Sequence, residues 1–276
     1  MSALEPGTSS ARPARASDAP RDLLLWEVRE HFPARRSKAV ELSLVAPVFE
    51  EEDNLERLLA RVIEIFGTKT SWELLLVDDG SKDRSPALIR ELAQRDPRVV
   101  GVFFARNRGQ TAATAAGVHL ARGRLIATLD ADLQNDPADL PAMIAMIEGH
   151  DAVVGWRMKR RDTFVRRASS KIANGIRNWI SKDSIRDTGC SLKVFRAEAI
   201  QAIPLFEGMH RFLPTLMRYH GFSVLEHGVG HHPRTAGKSK YGVWNRAFRA
   251  LKDLFAVRWM RARLLRLPIR EVSDVR

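Results

Sequence analysis

Short apolar runs alternate with segments of helical periodicity through the middle of this chain. Five runs have the length and composition of strands, at residues 42–46, 73–77, 99–104, 124–129 and 152–154. Apolar residues at helical spacing fill the intervals between them. This alternation predicts an α/β fold with a mainly parallel sheet that helices cover on both faces. Ligands bind such sheets beyond the carboxyl ends of the strands, so the residues that follow each run are candidate site residues.

Acidic residues follow two of these predicted strands. Asp78 and Asp79 come directly after the second run, and Asp130, Asp132 and Gln134 follow the fourth. Carboxylate and amide oxygens suit hard divalent cations such as Mg²⁺ and Mn²⁺. We therefore predict that Asp130, Asp132 and Gln134 hold a metal that bridges a nucleotide diphosphate, as an enzyme acting on a nucleotide-activated substrate requires. The alternative is a polar turn after a strand.

Composition limits the partners and the cellular setting. The formal charge of +12 and the pI near 10.5 require an anionic partner, which could be nucleic acid, a phosphorylated substrate or an acidic membrane. No nucleic-acid-binding motif is present, so nucleic acid is not expected. Cys190 is the only cysteine of the 276 residues, which excludes an internal disulfide and fits a reduced cytosol. No apolar run reaches the roughly 18 residues that span a bilayer, so no transmembrane span is predicted.

Two later segments, 157–180 and 243–267, combine basic and apolar residues at helical spacing. Helices of this kind lie in membrane interfaces, with tryptophan at headgroup depth and cations against anionic lipid. We therefore predict amphipathic interfacial helices and a peripheral attachment to the inner, cytoplasmic face of the plasma membrane. The alternative is that these helices pack on the core and their basic faces are solvated.

Three regions follow from these patterns. Residues 1–38 are rich in Ala, Pro, Ser and Arg and are predicted to be a mobile tail. Residues 39–236 are predicted to form the catalytic domain, with a nucleotide-sugar half to about 155 and an acceptor half after it. Residues 237–276 are predicted to be a basic amphipathic membrane-interface segment.

Several motifs occur together in one order. The sequence VAPVFEEEDNL over 45–55 is followed by VDDGS over 77–81 and DADLQ over 130–134. Together they resemble glycosyltransferase family 2, and within it the polyprenyl-phosphate glycosyltransferases, which include dolichol-phosphate-mannose synthase and undecaprenyl-phosphate sugar transferases. DTGCSLK over 187–193 and the segment 234–241 are similar to later motifs of that group.

The chain departs from the pattern of this group in two places. Glu50 stands where Asn is usual. The two C-terminal transmembrane helices of many bacterial members are missing, so a small membrane partner protein is one way in which such an enzyme would be anchored. The sequence does not specify the oligomeric state, and a homo-oligomer is compatible with it.

The resemblance implies a GT-A type, Rossmann-like fold. It also implies inverting transfer of one sugar from a UDP- or GDP-sugar to a polyprenyl phosphate. Nucleotide-sugar contacts are expected from Pro47, Phe49, Glu51, Asp78, Asp79, Asp130, Arg234 and Lys240. Catalytic roles are expected from Asp187, Asp132 and Arg157. Acceptor-phosphate contacts are expected from Arg166 and Lys238.

Some of these roles have alternatives on the sequence alone. Asp187 is expected to orient the acceptor or act as a base, but it could instead cap a loop. Arg106, Arg108 and Gln110 could hold phosphates or steer the acceptor, or could form a solvated loop. The competing function is a catalytically inactive basic protein on the same fold that binds a membrane or nucleic acid. The sugar, the base and the polyprenol are not specified by these motifs.

Overall fold

The computed structural model describes residues 28, 39–158, 183–204, 206–230, 232 and 243–264, with side chains in the last range from residue 252. The predicted mobile tail 1–38 therefore lies outside the described residues, apart from Val28. Most of the first basic segment and all of the segment 234–241 also lie outside them.

The described chain alternates strands and helices, as the sequence predicts. In chain order the elements are β1 Val40–Val48, α1 Leu55–Phe66, β2 Trp72–Asp78, α2 Ser85–Arg95, β3 Val99–Phe103, α3 Gln110–Leu120, β4 Gly123–Thr128, a 3₁₀ turn Pro137–Asp139, α4 Leu140–Ala145, β5 Ala152–Arg157, β6 Lys193–Arg196, α5 Ala197–Gln201, a 3₁₀ turn Met209–Arg211, α6 Leu213–Tyr219, β7 Val224–Val229 and α7 Val243–Arg263.

The strands form one seven-stranded sheet in the order β3-β2-β1-β4-β6-β5-β7. β6 runs antiparallel to β4 and β5, and the other neighbouring pairs are parallel. The prediction of a mainly parallel α/β sheet is confirmed. β6 and β7 were not predicted.

Helices cover both faces of this sheet because side chains alternate along each strand. Leu42 and Leu44 belong to a buried cluster that also contains residues of α1, α2 and α4. Val45 and Leu75 point the other way, into a cluster with residues of α3, α5, α6 and α7. These two clusters make up most of the buried core, and the carboxyl ends of the parallel strands lie together at one edge of the sheet.

α1 begins later than the apolar pattern predicts. The pattern suggests a helix from Glu51, but α1 begins at Leu55, because residues 52–54 form a turn that precedes the helix. The helix buries Leu55 and Phe66, whereas Ile63, predicted to lie on the apolar face, is 37% exposed.

α7 has a buried side, as a core-packing helix would have, and an exposed apolar side, as a membrane-interface helix would have. Leu254 and Val257 are buried in the same cluster as Met209 and residues of α3, α5 and α6. Phe255 and Trp259 project from another side and are 57% and 64% exposed. Part of this helix is therefore core, and part is an exposed aromatic face. None of the helices within the described residues is both long and apolar enough to cross a membrane.

Candidate active site

The early motifs meet at the carboxyl edge of the sheet because β1 lies between β2 and β4. Val48 pairs with Asp78, and the backbone N–H of Asp79 donates to the Val48 carbonyl at 2.8 Å. On the other side, the N–H of Leu129 donates to the Val45 carbonyl at 3.1 Å, so β4 ends beside the same edge. The structure thus brings together motifs that lie about eighty residues apart in the sequence.

The loop after β1 is fixed by two serines, Ser81 of the 77–81 motif and Ser85 at the start of α2. The N–H of Glu50 donates to the Ser81 hydroxyl at 2.9 Å, and that of Glu51 donates to the Ser85 hydroxyl at 3.0 Å. The Glu51 carboxylate accepts a hydrogen bond from the Asn54 amide at 2.7 Å. Pro47 and Phe49, the predicted nucleobase contacts, are half-buried at this edge.

Asp78 and Asp79 are both buried but differ in their contacts. Asp78 accepts hydrogen bonds from the N–H of Ser81 at 3.3 Å. Asp79 accepts from the N–H of Arg108 at 2.6 Å with one oxygen and from that of Gly109 at 2.8 Å with the other. Burial raises the pKa of Asp79 above its usual value. Both oxygens of Asp79 are engaged by the loop before α3, so its geometry favours fastening this loop. Its nucleotide contact stays a prediction.

The predicted metal ligands form a close acidic pair after β4. Asp130 accepts a hydrogen bond from the Gln110 amide at 2.9 Å, and Asp132, which is buried, accepts from the N–H of Gln134 at 3.1 Å. Burial and, next, the charge of Asp132 raise the pKa of Asp130. Leu133, between Asp132 and Gln134, has a φ of +57°, a left-handed conformation that is costly for leucine and that tends to occur at functional sites.

The acidic pair fits a divalent cation. The donors are oxygens, and a cation would offset both the burial and the repulsion from Asp132 that raise the pKa of Asp130. No group of three His, Cys, Asp or Glu side chains with metal-binding geometry occurs within the described residues. Two carboxylates suffice for Mg²⁺, which is commonly bound by one or two protein carboxylates together with substrate phosphates and water. The Gln134 ligand stays a prediction.

Arg157 at the end of β5 forms a bidentate ion pair with Asp187. Its Nε and Nη2 donate to the two carboxylate oxygens at 2.7 and 2.9 Å. The N–H of Gly189 adds a further hydrogen bond to this carboxylate at 3.0 Å. Burial alone would raise the pKa of Asp187, but the Arg157 guanidinium lowers it below its usual value. An ionised carboxylate with both oxygens engaged is suited to holding Arg157 in place, and less suited to accepting a proton.

Three residues near this ion pair were not assigned from the sequence. Lys193 is buried and donates to the Cys190 carbonyl. The Asn135 amide donates to the Ser191 hydroxyl at 2.9 Å, and this contact ties the residue that follows the 130–134 motif to the 187–193 motif. A lysine inside the apolar run 192–195 was a signal that could have marked Lys193 as unusual.

Residues 43–203 match the family described as glycosyl transferase family 2. The chain belongs to glycosyltransferase family 2. It is 42% identical over 227 residues to dodecaprenyl-phosphate galacturonate synthase of Rhizobium johnstonii, covering 80% of this chain and 67% of that protein. It is 40% identical over 205 residues to undecaprenyl-phosphate 4-deoxy-4-formamido-L-arabinose transferase of Edwardsiella ictaluri, covering 73% and 63%. The chain thus spans about two-thirds of the length of these curated relatives.

Solved structures share the fold of this family 2 glycosyltransferase at low sequence identity. A mannosyltransferase of Pyrobaculum calidifontis, in complex with GDP-Man and Mn²⁺, has a TM-score of 0.59 at 18% identity, covering 89% of this chain and 78% of that one. Glucosyl-3-phosphoglycerate synthase of Mycobacterium tuberculosis, with Mn²⁺, UDP and glucosyl-3-phosphoglycerate, has a TM-score of 0.62 at 14% identity, covering 91% and 88%.

Four predicted site residues of this family 2 glycosyltransferase lie outside the described residues. They are Arg166, Arg234, Lys238 and Lys240. The chain just before the last three is placed, because the N–H of His232 donates to the Gln134 carbonyl at 2.8 Å. The roles of these four cations stay predictions.

Proposed function

We propose that this protein transfers one sugar from a nucleotide-diphosphate sugar to a polyprenyl phosphate, with Mg²⁺ or Mn²⁺ as its cofactor. The observation that carries the proposal is the meeting of Asp130 and Asp132 with the buried Asp78 at one edge of the sheet. The names of the two curated relatives, both polyprenyl-phosphate sugar transferases, support the acceptor. The nucleotides and Mn²⁺ in the similar solved structures support the donor and the metal.

The donor is assigned to the edge formed by β1, β2 and β4. Pro47 and Phe49 pack on the nucleobase, and Glu51 and Asp78 accept hydrogen bonds from base or ribose donors. Asp130 and Asp132, with Gln134, hold the cation. When bound, the cation neutralises the negative charge that develops on the departing nucleoside diphosphate.

The acceptor is assigned to the side of Arg157. A lipid phosphate monoester is already an anion, so catalysis needs alignment and leaving-group stabilisation more than a strong base. Arg157 binds Asp187 through Nε and Nη2, and its Nη1 makes no hydrogen bond within the described residues. The guanidinium can therefore bind phosphate while Asp187 fixes its plane. Arg166 and Lys238 are assigned to the same phosphate, and Arg234 and Lys240 to the donor diphosphate.

Transfer is proposed to be a single in-line displacement with inversion at the anomeric carbon. It takes place at the inner face of the plasma membrane, where α7 supports peripheral attachment. Phe255 and Trp259 are exposed on this helix, and Lys252, Arg258 and Arg263 lie exposed near them. Exposed aromatic and basic side chains on one helix are typical of interfacial binding.

The test is a screen of UDP- and GDP-sugars with Mn²⁺ and undecaprenyl phosphate, in which the lipid-linked product and its anomeric configuration are measured. Asp132→Ala should abolish transfer and leave the melting temperature unchanged, because this buried carboxylate is assigned to the metal. Normal turnover by Asp132→Ala, or by the wild type with excess chelator, would contradict the metal assignment. No product and no nucleotide binding with any donor would contradict the function.

A further inference from the structure

Gln110, the first residue of α3, contacts the metal motif although it lies outside every motif assigned to metal or nucleotide. Its Nε2 donates to Oδ1 of Asp130 at 2.9 Å. An amide bonded to one oxygen of a carboxylate restricts the rotation of that carboxylate, together with the Ser191 side chain that also hydrogen-bonds Asp130, and so restricts the direction in which the second oxygen points. The contact joins residues 20 positions apart along the chain.

The backbone at Gln110 is held from both sides. On the side of the loop, Asp79 accepts the N–H groups of Arg108 and Gly109. On the side of the helix, the Thr114 hydroxyl donates to the Gln110 carbonyl at 2.8 Å. The position from which the Gln110 side chain reaches Asp130 is therefore defined by the surrounding fold.

A glycine allows the loop before α3 to lie this close. Gly80 has a φ of +71°, and a Cβ on it would lie 2.6 Å from the backbone carbon of Arg106. The 77–81 motif therefore packs directly against the 106–109 loop. As a result, the buried Asp79 can reach two consecutive N–H groups of that loop.

We infer that Gln110 is a positioning residue for the metal ligand Asp130, and that Asp79 acts on the same carboxylate through the loop that presents Gln110. The inference rests on the proposed function, because it concerns how the proposed metal ligand is oriented. It gives the second aspartate of the 77–81 motif a role in metal binding and separates it from Asp78, which is assigned to the nucleotide.

Calorimetry of Mn²⁺ binding in the presence of UDP, or of GDP if UDP does not bind, tests the role of Gln110. Gln110→Ala should weaken Mn²⁺ binding about tenfold, as is usual when a residue that orients a metal ligand is removed. Binding of the nucleotide without metal should be unchanged. Gln110→Asn should behave like Gln110→Ala, since its amide is one methylene too short to reach Asp130. Gln94→Ala, at an exposed glutamine near the end of α2, is the matched control and should bind Mn²⁺ like the wild type.

A double-mutant cycle tests the role of Asp79. Asp79→Asn alone should weaken Mn²⁺ binding about fivefold, the effect of losing one ordinary hydrogen bond. Combined with Gln110→Ala it should cause little further loss, because both residues act through the same contact. Melting temperatures of all variants show whether the fold is retained.

The outcomes separate the inference from the proposed function. If Gln110→Ala binds Mn²⁺ as tightly as Gln94→Ala, the role of Gln110 is overturned while the function stands. If the losses at Asp79 and Gln110 add, Asp79 does not act through Gln110. If the wild type binds no Mn²⁺ with either nucleotide, the proposed function fails and the inference fails with it.

Discussion

Glu50 has a φ of +53°, in the left-handed region that non-glycine residues rarely adopt and asparagine tolerates best. This conformation gives a physical reason for the asparagine that is usual at this position in the group the sequence resembles. Glu50→Asn should raise the free energy of unfolding by about 0.5–1 kcal/mol, which urea denaturation can measure. Glu91→Asn, at an exposed position in α2, should instead lower it by a few tenths of a kcal/mol, because asparagine is a weaker helix former. Equal effects at the two positions would argue against strain at Glu50.

Asp187 is held ionised by Arg157, so its role can be tested by the pH dependence of transfer. Because the pKa of Asp187 is lowered, its carboxylate stays charged throughout the neutral range. At pH values above about 4, the ordinary pKa of an aspartate, protonation of Asp187 should therefore cause no loss of wild-type turnover. Asp187→Asn should lower kcat about 100-fold through misplacement of Arg157 and leave nucleotide binding with metal intact.

Asp78→Ala is the contrasting variant for Asp187. It should lose nucleotide binding in calorimetry, because Asp78 is assigned to the base or ribose. The acceptor-side role of Asp187 is wrong if Asp187→Asn binds nucleotide as poorly as Asp78→Ala.

At the scale of elements, α7 has a buried side and an exposed side, and the exposed side is assigned to the membrane. Replacing both Phe255 and Trp259 by serine should weaken binding to anionic vesicles at least about tenfold in flotation, because two large apolar side chains no longer leave water. Wild-type binding should also weaken with salt, since the Debye length is about 8 Å at physiological ionic strength. Ile63→Ser, at an exposed apolar residue of α1, is the control. Equal binding of the wild type to neutral and anionic vesicles would contradict the electrostatic part of this assignment.

At the scale of the whole molecule, His210 links the first turn of α3 to the core cluster that includes α7. Its Nδ1 contacts the Thr111 hydroxyl at 2.6 Å, and burial lowers its pKa to about 3. The unfolded chain has a histidine pKa near 6.5, so it takes up a proton on acidification while the folded protein does not. Stability should therefore fall as the pH drops below about 6.5, by up to about 2 kcal/mol at pH 5.

Urea denaturation between pH 7 and 5 measures this loss. His210→Gln, which cannot take up the proton, should have a flatter dependence of stability on pH. Gln94→Ala alters no titratable group and should keep the wild-type slope. If the slopes of His210→Gln and the wild type are the same, His210 is not the source of the acid sensitivity.

Local pattern predicts the first five strands because each is a short apolar run bounded by a helix or a turn. It misses β6 because Lys193 interrupts the apolar run, and the strand is stabilised by antiparallel pairing with β4 and β5. It misses β7 because Glu226, His227 and Gly228 lie in the middle of this edge strand. β6 and β7 are both stabilised by pairing with strands that are distant in the sequence, which a local pattern does not reveal.

In the candidate site, too, the sequence pattern predicts some contacts and misses others. Motif spacing predicts that Asp78, Asp130 and Asp132 lie at one edge, because strand ends of a parallel sheet meet there. It does not predict that Arg157 and Asp187, 30 residues apart, neutralise each other, or that Asp79 faces the loop before α3. Those contacts depend on the three-dimensional path of loops, which apolar periodicity does not encode.

The reversed direction of β6 has a consequence for exchanging parts between relatives. Residues 187–192 reach the site edge by leading into a strand, and their neighbours fix them at both ends. Asp187 is bound by Arg157, and the Ser191 carbonyl accepts a hydrogen bond from the Thr128 hydroxyl at 2.7 Å. A segment of equal length from a relative should therefore be exchangeable where it keeps the carboxylate that binds Arg157 and the hydroxyl that Asn135 contacts, leaving the edge at β1 and β2 undisturbed.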